Sequence, residues 1–591
     1  MSDYQLADQF LYESSQKTDT SVNVSKNKRV VVVSDGNQGS YQSGVITIDA
    51  ATQLTGAKGF GSLRDSYITL PYVTTMKNTG GAALNAAVNR FCVGLKAGVW
   101  NVVDSLVVEL NGQTIVSESD YKLFWNNLRA MTEWSTTDIE KHGSDAFMSP
   151  DDWVSVAYNN VATSSGDGFI NNLTNLNTAP GLTPESGPFA CNNGFIDRLY
   201  NNPQPTAVIS SAGVEAGVNP NGWITQRSGV ATTIAQQNGR GAFVTTGTNT
   251  GTLALVAAAA GQIAGSWYHM LKIRLVDLHP IFKELDLSGN PQLKIRLKIN
   301  SGYCDIATTS TTMTLTSTTM TSGNTCPIMV ASAAASNAMV SVPSLSAGSL
   351  RVAFGPLQNN LTTLATAGQY FPFTTSRLHI PFYDIATPTA IVSKPIKTIK
   401  FLDVYAQYFK GRAGVGSGLQ QQNAAFNFQL SGSWKNIKNV ALIPFSETSS
   451  GHFATAHGTE QFQSPFDSAP WTCQPGSSIR NFQVQVGNDN VFSKTIDYDY
   501  ESYFDEFRKL GAVNGGLTHE ISNGLVDFQK WAMVHRVLTA DCSRITNKDV
   551  PQSVQISGVN GSCQGMNALI LVVYERELQL DRLTGEVALR T

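Results

Sequence analysis

The sequence predicts an all-β chain built as two tandem antiparallel β-sandwiches. Three observations carry this: short apolar-alternating segments punctuated by Gly, Pro and Asn, helices too few for a parallel α/β sheet, and a pattern that occurs twice. In that pattern Asp120, Tyr121, Phe124, Trp125, Leu128, Arg129 and Met131 are matched in order, 379 positions later, by Asp499, Tyr500, Tyr503, Phe504, Phe507, Arg508 and Leu510. Apolar residues at i, i+3, i+4, i+7 and i+10 line one helix face, so each copy reads as an amphipathic helix packed on a larger body. Two more blocks are colinear with it. Ile68-Thr69-Leu70-Pro71-Tyr72 resembles Leu378-His379-Ile380-Pro381-Phe382, and Phe91, Val93, Leu95, Asn101 and Val102 resemble Phe426, Phe428, Leu430, Asn436 and Ile437. Conserved order with growing offsets is the expected trace of a duplicated domain whose loops took different insertions.

Along the chain, residues 1–27 are polar and read as an arm. Strands are predicted at Arg29–Ser34, Gly44–Asp49, Ser66–Met76, Arg90–Lys96 and Val102–Glu109. The last runs into Asn111-Gly112, a two-residue hairpin signal, and returns as Thr114–Val116. Ser117 and Asp120 are spaced as a capping-box variant for the first repeated helix, which is predicted to end near Gly143. Residues 144–265 are rich in Gly, Asn, Thr and Ala and read as a long insertion. Strands resume at Trp267–Leu275 and Leu293–Ile299. In the latter, Leu293, Ile295, Leu297 and Ile299 alternate with Lys294, Arg296 and Lys298, predicting a half-buried strand with a solvated or acid-paired basic face. A Thr/Ser tract from Thr308 to Thr325 interrupts before short strands at Cys326–Ala331 and Leu350–Phe354. Where the repeat restarts, near residue 365, eight strands are predicted: Arg377–Phe382, Thr398–Phe409, Ala425–Gly432, Asn439–Phe445, Asn481–Val486, Gln529–Leu538, Ser553–Ser557 and Ala568–Glu575.

At 591 residues the chain exceeds one ordinary core, and two sandwiches of roughly 200–250 residues plus insertions fit it. Only 14% of residues are charged, against about 25% in a typical soluble domain, which favours burial between subunits or long uncharged loops. Net charge is −3, and residues 1–30 balance Lys17, Lys26, Lys28 and Arg29 against Asp3, Asp8, Glu13 and Asp19. Without a basic arm, binding to a phosphate backbone is not indicated. The start lacks a signal-peptide pattern, and Leu253–Ala264, the nearest apolar run, is short of the roughly 20 residues of a membrane span. Seven cysteines (92, 191, 304, 326, 473, 542 and 563) stand singly, without metal-ligand or redox spacing, and read as free buried thiols in a reducing compartment.

Catalytic signatures are missing: there is no GxxxxGK[ST], HExxH, CxxC or GxSxG. His452 and His457 share a loop near Glu460 but lack a third ligand at a defined spacing. The acidic run Asp497, Asp499, Glu501, Asp505 and Glu506 lacks the glycine and closing glutamate of a calcium loop, and acids there suit the positive end of the second repeated helix. Asp120 stands at the matching place in the first copy. Gly411–Gly418 runs into Gln420-Gln421-Gln422-Asn423 rather than a helix, so it reads as a hairpin loop rather than a phosphate cradle. No catalytic, cofactor-binding or metal residue is assigned.

Several stretches carry a family resemblance: Leu271-Lys272-Ile273-Arg274-Leu275-Val276-Asp277-Leu278-His279-Pro280-Ile281-Phe282-Lys283-Glu284-Leu285, Lys400-Phe401-Leu402-Asp403-Val404-Tyr405, Ser464-Pro465-Phe466-Asp467-Ser468-Ala469-Pro470, Leu538-Thr539-Ala540-Asp541-Cys542-Ser543-Arg544 and Val573-Tyr574-Glu575. With them the chain resembles the double jelly-roll major capsid proteins of polinton-like viruses and virophages, within the lineage of adenovirus-type capsids. The resemblance runs from about residue 28 to the end, with little from 144–265 and 303–350. It implies two tandem eight-stranded antiparallel jelly-roll β-sandwiches with a few short helices and long loop insertions. The expected layout is an arm (1–27), a first roll (28–364, insertions about 144–265 and 303–350) and a second roll (365–591). It further implies a homotrimer that forms a pseudo-hexameric capsomer of an icosahedral virion shell, assembled inside the infected host cell. The implied partners are neighbouring capsomers, penton and minor capsid proteins, with no cofactor, no specific nucleic acid and no membrane span. Two other readings stand beside it: a secreted or surface carbohydrate-binding β-sandwich protein, and a β-sandwich glycosidase using carboxylates such as Asp499 and Glu501.

Overall fold

The computed structural model describes residues 29–38, 44–55, 59–79, 90–150, 263–289, 291–308, 313–332, 348–356, 375–384, 395–410, 423–446, 479–497, 499–510, 525–533, 535–545, 550–561 and 566–590, with a few isolated residues and short strands between them. Apart from inserted strands, the first unit runs β1 (Arg29–Ser34), β2 (Val45–Asp49), β3 (Tyr67–Asn78), β4 (Val103–Leu110), β5 (Gln113–Glu118), β6 (Ile263–Arg274), β7 (Leu293–Ile299) and β8 (Arg377–Tyr383). One antiparallel sheet is ordered β1-β8-β3-β6 and the other β2-β7-β4-β5. The second unit runs β9 (Ile396–Phe409), β10 (Ala424–Trp434), β11 (Ile437–Ser446), β12 (Ile479–Val486), β13 (Asp489–Asn490), β14 (Leu538–Asp541), β15 (Gln552–Asn560) and β16 (Met566–Asp581). Its sheets are β9-β16-β11-β14 and β10-β15-β12-β13. Counted within its own unit, each has sheets ordered 1-8-3-6 and 2-7-4-5. That is the jelly-roll order, and it occurs twice.

Period-2 alternation builds these sheets. Ile46 and Ile48 of β2, Ile295 and Leu297 of β7, and Leu106 and Val108 of β4 all point inward and are fully buried, each side chain contributing about 1.5–3 kcal/mol by leaving water. On the opposite face Lys294 pairs with Asp49 (3.5 Å), Arg296 with Glu109 (3.4 Å) and Lys298 with Asp104 (3.2 Å), the acid-paired surface that the alternation predicts. At the β4–β5 hairpin Asn111 and Gly112 both take positive φ, as a two-residue turn between right-twisted strands requires.

The ladders correct the predicted repeat. Ile68–Tyr72 lies on β3 and Leu378–Phe382 on β8, and the two strands pair in one sheet (Leu378↔Ile68), so they are neighbours rather than copies. The strand Arg377–Tyr383 therefore closes the first roll, and a boundary at 365 cuts through its sheet. Phe91–Leu95 belongs to a separate small sheet in the β3–β4 connection, whereas Phe426–Leu430 lies on β10. The β4–β5 hairpin matches the β12–β13 hairpin 376 positions on, with Leu110↔Gln113 answering Val486↔Asp489. The helix match at 379 holds its place, between the fifth and sixth strands of both rolls.

Three local assignments also change. The Thr/Ser tract forms a strand, Met313–Ser322, which pairs with Ser301–Thr308; β-branched Thr suits an edge-facing strand. That hairpin joins Gly348–Pro356, which takes over the outer half of β3 beyond the reach of β8. Gln529–Leu538 is not a strand: Asp527 accepts from the Lys530 amide and starts the helix Phe528–Met533, burying Trp531, and only Leu538 onward is extended. The first repeated helix is broken into a 3-10 turn (Lys122–Phe124), α1 (Trp125–Glu133) and α2 (Thr136–Ala146). Extended Ser135 interrupts it and forms the capping box with Asp138, while Asp120 takes φ 47° and caps nothing.

In the second copy Asp499 does cap, accepting from the Glu501 and Ser502 amides. A π-helical turn over Tyr503–Phe507 then rotates the face, burying Tyr503 and Phe507 and leaving Phe504 partly covered. Truncating Phe124 or Phe507 to Ala is expected to cost about 3–5 kcal/mol in urea unfolding, and Phe504→Ala less than about 2. Equal losses at Phe504 and Phe507 would contradict this packing.

Candidate functional site

Among the described residues, a dense buried polar cluster lies where the first roll packs on β9. Glu118 ends β5, His279 follows the short helix Leu275–Leu278 after β6, and Asp403 sits mid-β9; all three are buried, with one ligand-capable atom from each within 4.8 Å of the others. Arg576 of β16 donates to Asp403 Oδ2 at 2.7 Å, and His279 Nε2 stands 3.7 Å from Glu118 Oε1. Around them an aromatic seam joins the rolls. Tyr121 packs on Tyr408 (5.4 Å) and Phe462 (5.7 Å), Phe124 on Phe445 (6.0 Å), and His279 edge-on to Phe401 (5.6 Å). Lys397 and Arg582 of the second roll both reach Asp286 of the first, and Asn111 donates to the Gly585 carbonyl.

The protonation states follow from burial. Burial first, and the Asp403 charge second, push the Glu118 carboxyl well above its usual range, so it keeps its proton and donates it to Asp403. Burial works against the Asp403 charge, but the hydrogen bond and charge of Arg576, with the charge of Lys122, outweigh it and hold that carboxyl low. Burial drives His279 down to about 3, so at neutral pH Arg576 is the charged partner. A metal does not fit this donor set. His279 Nδ1 accepts the Ile281 amide at 3.2 Å, which puts the ring proton on Nε2, the nitrogen facing Glu118. The cations Arg576, Lys122 and Arg129 already act on the cluster. What the arrangement does chemically is share a proton across the joint between two domains.

Other sequence candidates fall elsewhere. His452, His457, Glu460 and Gly411–Gly418 lie outside the described residues. In the acidic run Glu506 is buried, accepting from the Asp541 amide and Arg544 (both 2.7 Å), while Asp497, Asp499, Glu501 and Asp505 are exposed. Of the cysteines, Cys304, Cys326 and Cys542 are free and buried. An open cavity of about 410 Å³ beside α1 is lined by Arg64, Trp100, Arg129, Glu133, Arg274 and Lys283 among others. Most of its charges are committed: Glu133 pairs with Arg129 and Lys283, and Arg274 with Asp277. Among the described residues no helix is long and apolar enough to cross a membrane.

No family model and no curated protein matches the chain. Among solved structures, a chain in the cryo-EM structure of the Sputnik virophage is similar over 98% of this chain and 91% of that chain, at 11% identity and a TM-score of 0.47. The mavirus major capsid protein is similar over 98% of this chain and 94% of that one, at 12% identity and a TM-score of 0.39. The Faustovirus major capsid protein is similar over 94% and 90%, at 10% identity and a TM-score of 0.42. These neighbours are viral capsid structures. The fold itself is fixed by the two strand orders described above, independently of these likenesses.

Because burial favours the neutral form of Glu118, Glu118→Gln should match the wild type in stability below pH 5 and be the more stable of the two at pH 7, whereas Asp403→Asn strands Arg576 and should cost about 3–5 kcal/mol. A carboxyl with a raised folded-state pKa contributes stability that is complete below its unfolded value of about 4.5 and is lost as pH rises through the folded value. Urea midpoints followed upward from pH 5 should therefore decline more in the wild type than in Glu118→Gln. Parallel curves would contradict the proton-sharing pair.

Proposed function

We propose that this chain is a major capsid protein whose two rolls act as two near-equivalent building blocks of one shell unit. The observation that carries the reading is the repetition of the 1-8-3-6 and 2-7-4-5 strand orders within one chain, joined through a buried seam. Duplication gives a trimer six similar lobes, and a unit that is nearly sixfold can tile a closed shell by hexagonal packing. A low content of charge (14%) and the two long insertions suit a protein covered by neighbours on several sides. No residue is assigned a catalytic role.

In this reading the first roll ends with β8 and the second begins with β9, which moves the boundary from 365 to between 384 and 395. Residues 1–27 serve as an arm toward neighbouring capsomers, penton and minor shell proteins. The protein resides in the virion and assembles in the infected host cell. Light scattering on the purified protein should give three times the chain mass of 63.6 kDa. A monomer at all concentrations would overturn the capsomer reading and favour a carbohydrate-binding sandwich.

A further inference from the structure

We infer that Cys304 and Cys326 form a redox-active dithiol site whose substrate is a small peroxide, and that the disulfide it yields locks the strands around it. No CxxC spacing links the two residues; the fold does. Cys304 lies mid-strand in Ser301–Thr308, paired with Thr318 on one side and Val352 on the other. Cys326 follows the strand Met313–Ser322 and leads into Ile328–Ser332, which pairs with Arg90–Leu95 in the small sheet. Between them Gly323, at φ 97°, turns the chain against the Asn300 side chain, where a Cβ has no room. Both thiols end fully buried, and Cys304 donates its S–H to Cys326. The Cys326 amide and the buried Lys96 ammonium converge on one acceptor, the Phe462 carbonyl, at 2.8 and 3.4 Å. The Tyr72 phenol, which donates to the Asn300 carbonyl at 2.9 Å, lies within the field of both sulfurs.

Burial by itself makes a thiol inert, as Cys542 shows: burial first, and the charges of Asp541 and Glu506 next, push it well above the ordinary range. Cys326 is different. Burial works against its charge, but the Cys304 S–H and the Lys96 ammonium outweigh burial and hold the thiol below its ordinary value. Cys304 is held up by the hydrogen bond that it donates and by burial. One sulfur is therefore the nucleophile, and the other keeps its proton beside it as the resolving thiol.

Cys326, as thiolate, attacks one oxygen of hydrogen peroxide; the O–O bond breaks, leaving a sulfenic acid and a hydroxide that takes the Cys304 proton. Cys304 then attacks the sulfenic sulfur and forms the S–S bond, and the second hydroxide leaves with the proton that Cys326 first released. Two thiols lose two electrons and two protons, and the peroxide becomes two waters. With neither sulfur exposed, a bulky oxidant such as glutathione disulfide is excluded, whereas a peroxide is little larger than water. The Cys326 and Val330 amides hold the Phe462 and Pro465 carbonyls at 2.8 and 2.7 Å, so tying Cys326 to the strand of Cys304 also fixes this contact with the β11–β12 connection.

The test treats the folded full chain, freed of reductant, with hydrogen peroxide, then alkylates the remaining thiols in denaturant and digests with trypsin. From 299 to 351 the only Lys or Arg is Arg351, so both cysteines fall in one peptide. That peptide should refuse alkylation, carry an S–S bond that dithiothreitol opens, and react at least roughly tenfold faster than Cys542 is modified. The oxidised chain should unfold at higher urea than the reduced one, because the cross-link restricts the unfolded chain, and in Cys304→Ser peroxide should not raise the midpoint. Full alkylation of both thiols after peroxide, a cross-link that forms only once urea has unfolded the chain, or an unchanged midpoint in the cross-linked wild type would overturn the lock.

Discussion

The burial of β9 between the two rolls is the constraint on which the rest of the molecule depends. Phe401 and Asp403 of this edge strand lie against the first roll, while Tyr405 and Phe409 farther along pack on Trp434 and Phe428 of their own roll; an edge strand this apolar must be covered or it invites aggregation. Here the first roll covers it. Placing Asp403 in that interface is costly without a cation and a donor, and Arg576, from the strand paired with β9, and protonated Glu118, from the other roll, supply them. The aromatic seam around Tyr121, Tyr408, Phe445 and Phe462 provides the apolar area, and the polar cluster fixes the register of one roll on the other.

The sequence made the element types legible where periodicity is strict. Arg29–Ser34 and Leu293–Ile299 form over the residues predicted, and the Asn111-Gly112 hairpin follows from two residues that tolerate positive φ. The helix pairing at an offset of 379 survived because five apolar positions on one helix face are hard to match by accident. The strand matches failed for the opposite reason. An apolar-x-apolar-Pro-aromatic phrase fits any buried strand tolerating proline, and it occurs on both β3 and β8, so similarity could not distinguish a copy from a neighbour. Gln529–Leu538 misled because Trp531, Val534 and Val537 suit a strand in isolation, whereas the Asp527 cap decides for a helix.

The joint was the least legible part. Glu118, His279 and Asp403 come from segments far apart in sequence, and no spacing rule links them. The available signal was a lone acid between Phe401 and Tyr405, an arrangement that a solvated strand and an interface strand share until the partner is known.

Duplication within one chain joined by a head-to-tail seam is the central claim, and cryo-electron microscopy of the purified assembly tests it most directly. The account predicts six lobes of near-equal size around one axis. Three elongated bodies meeting through a different face, or a two-fold particle, would contradict it.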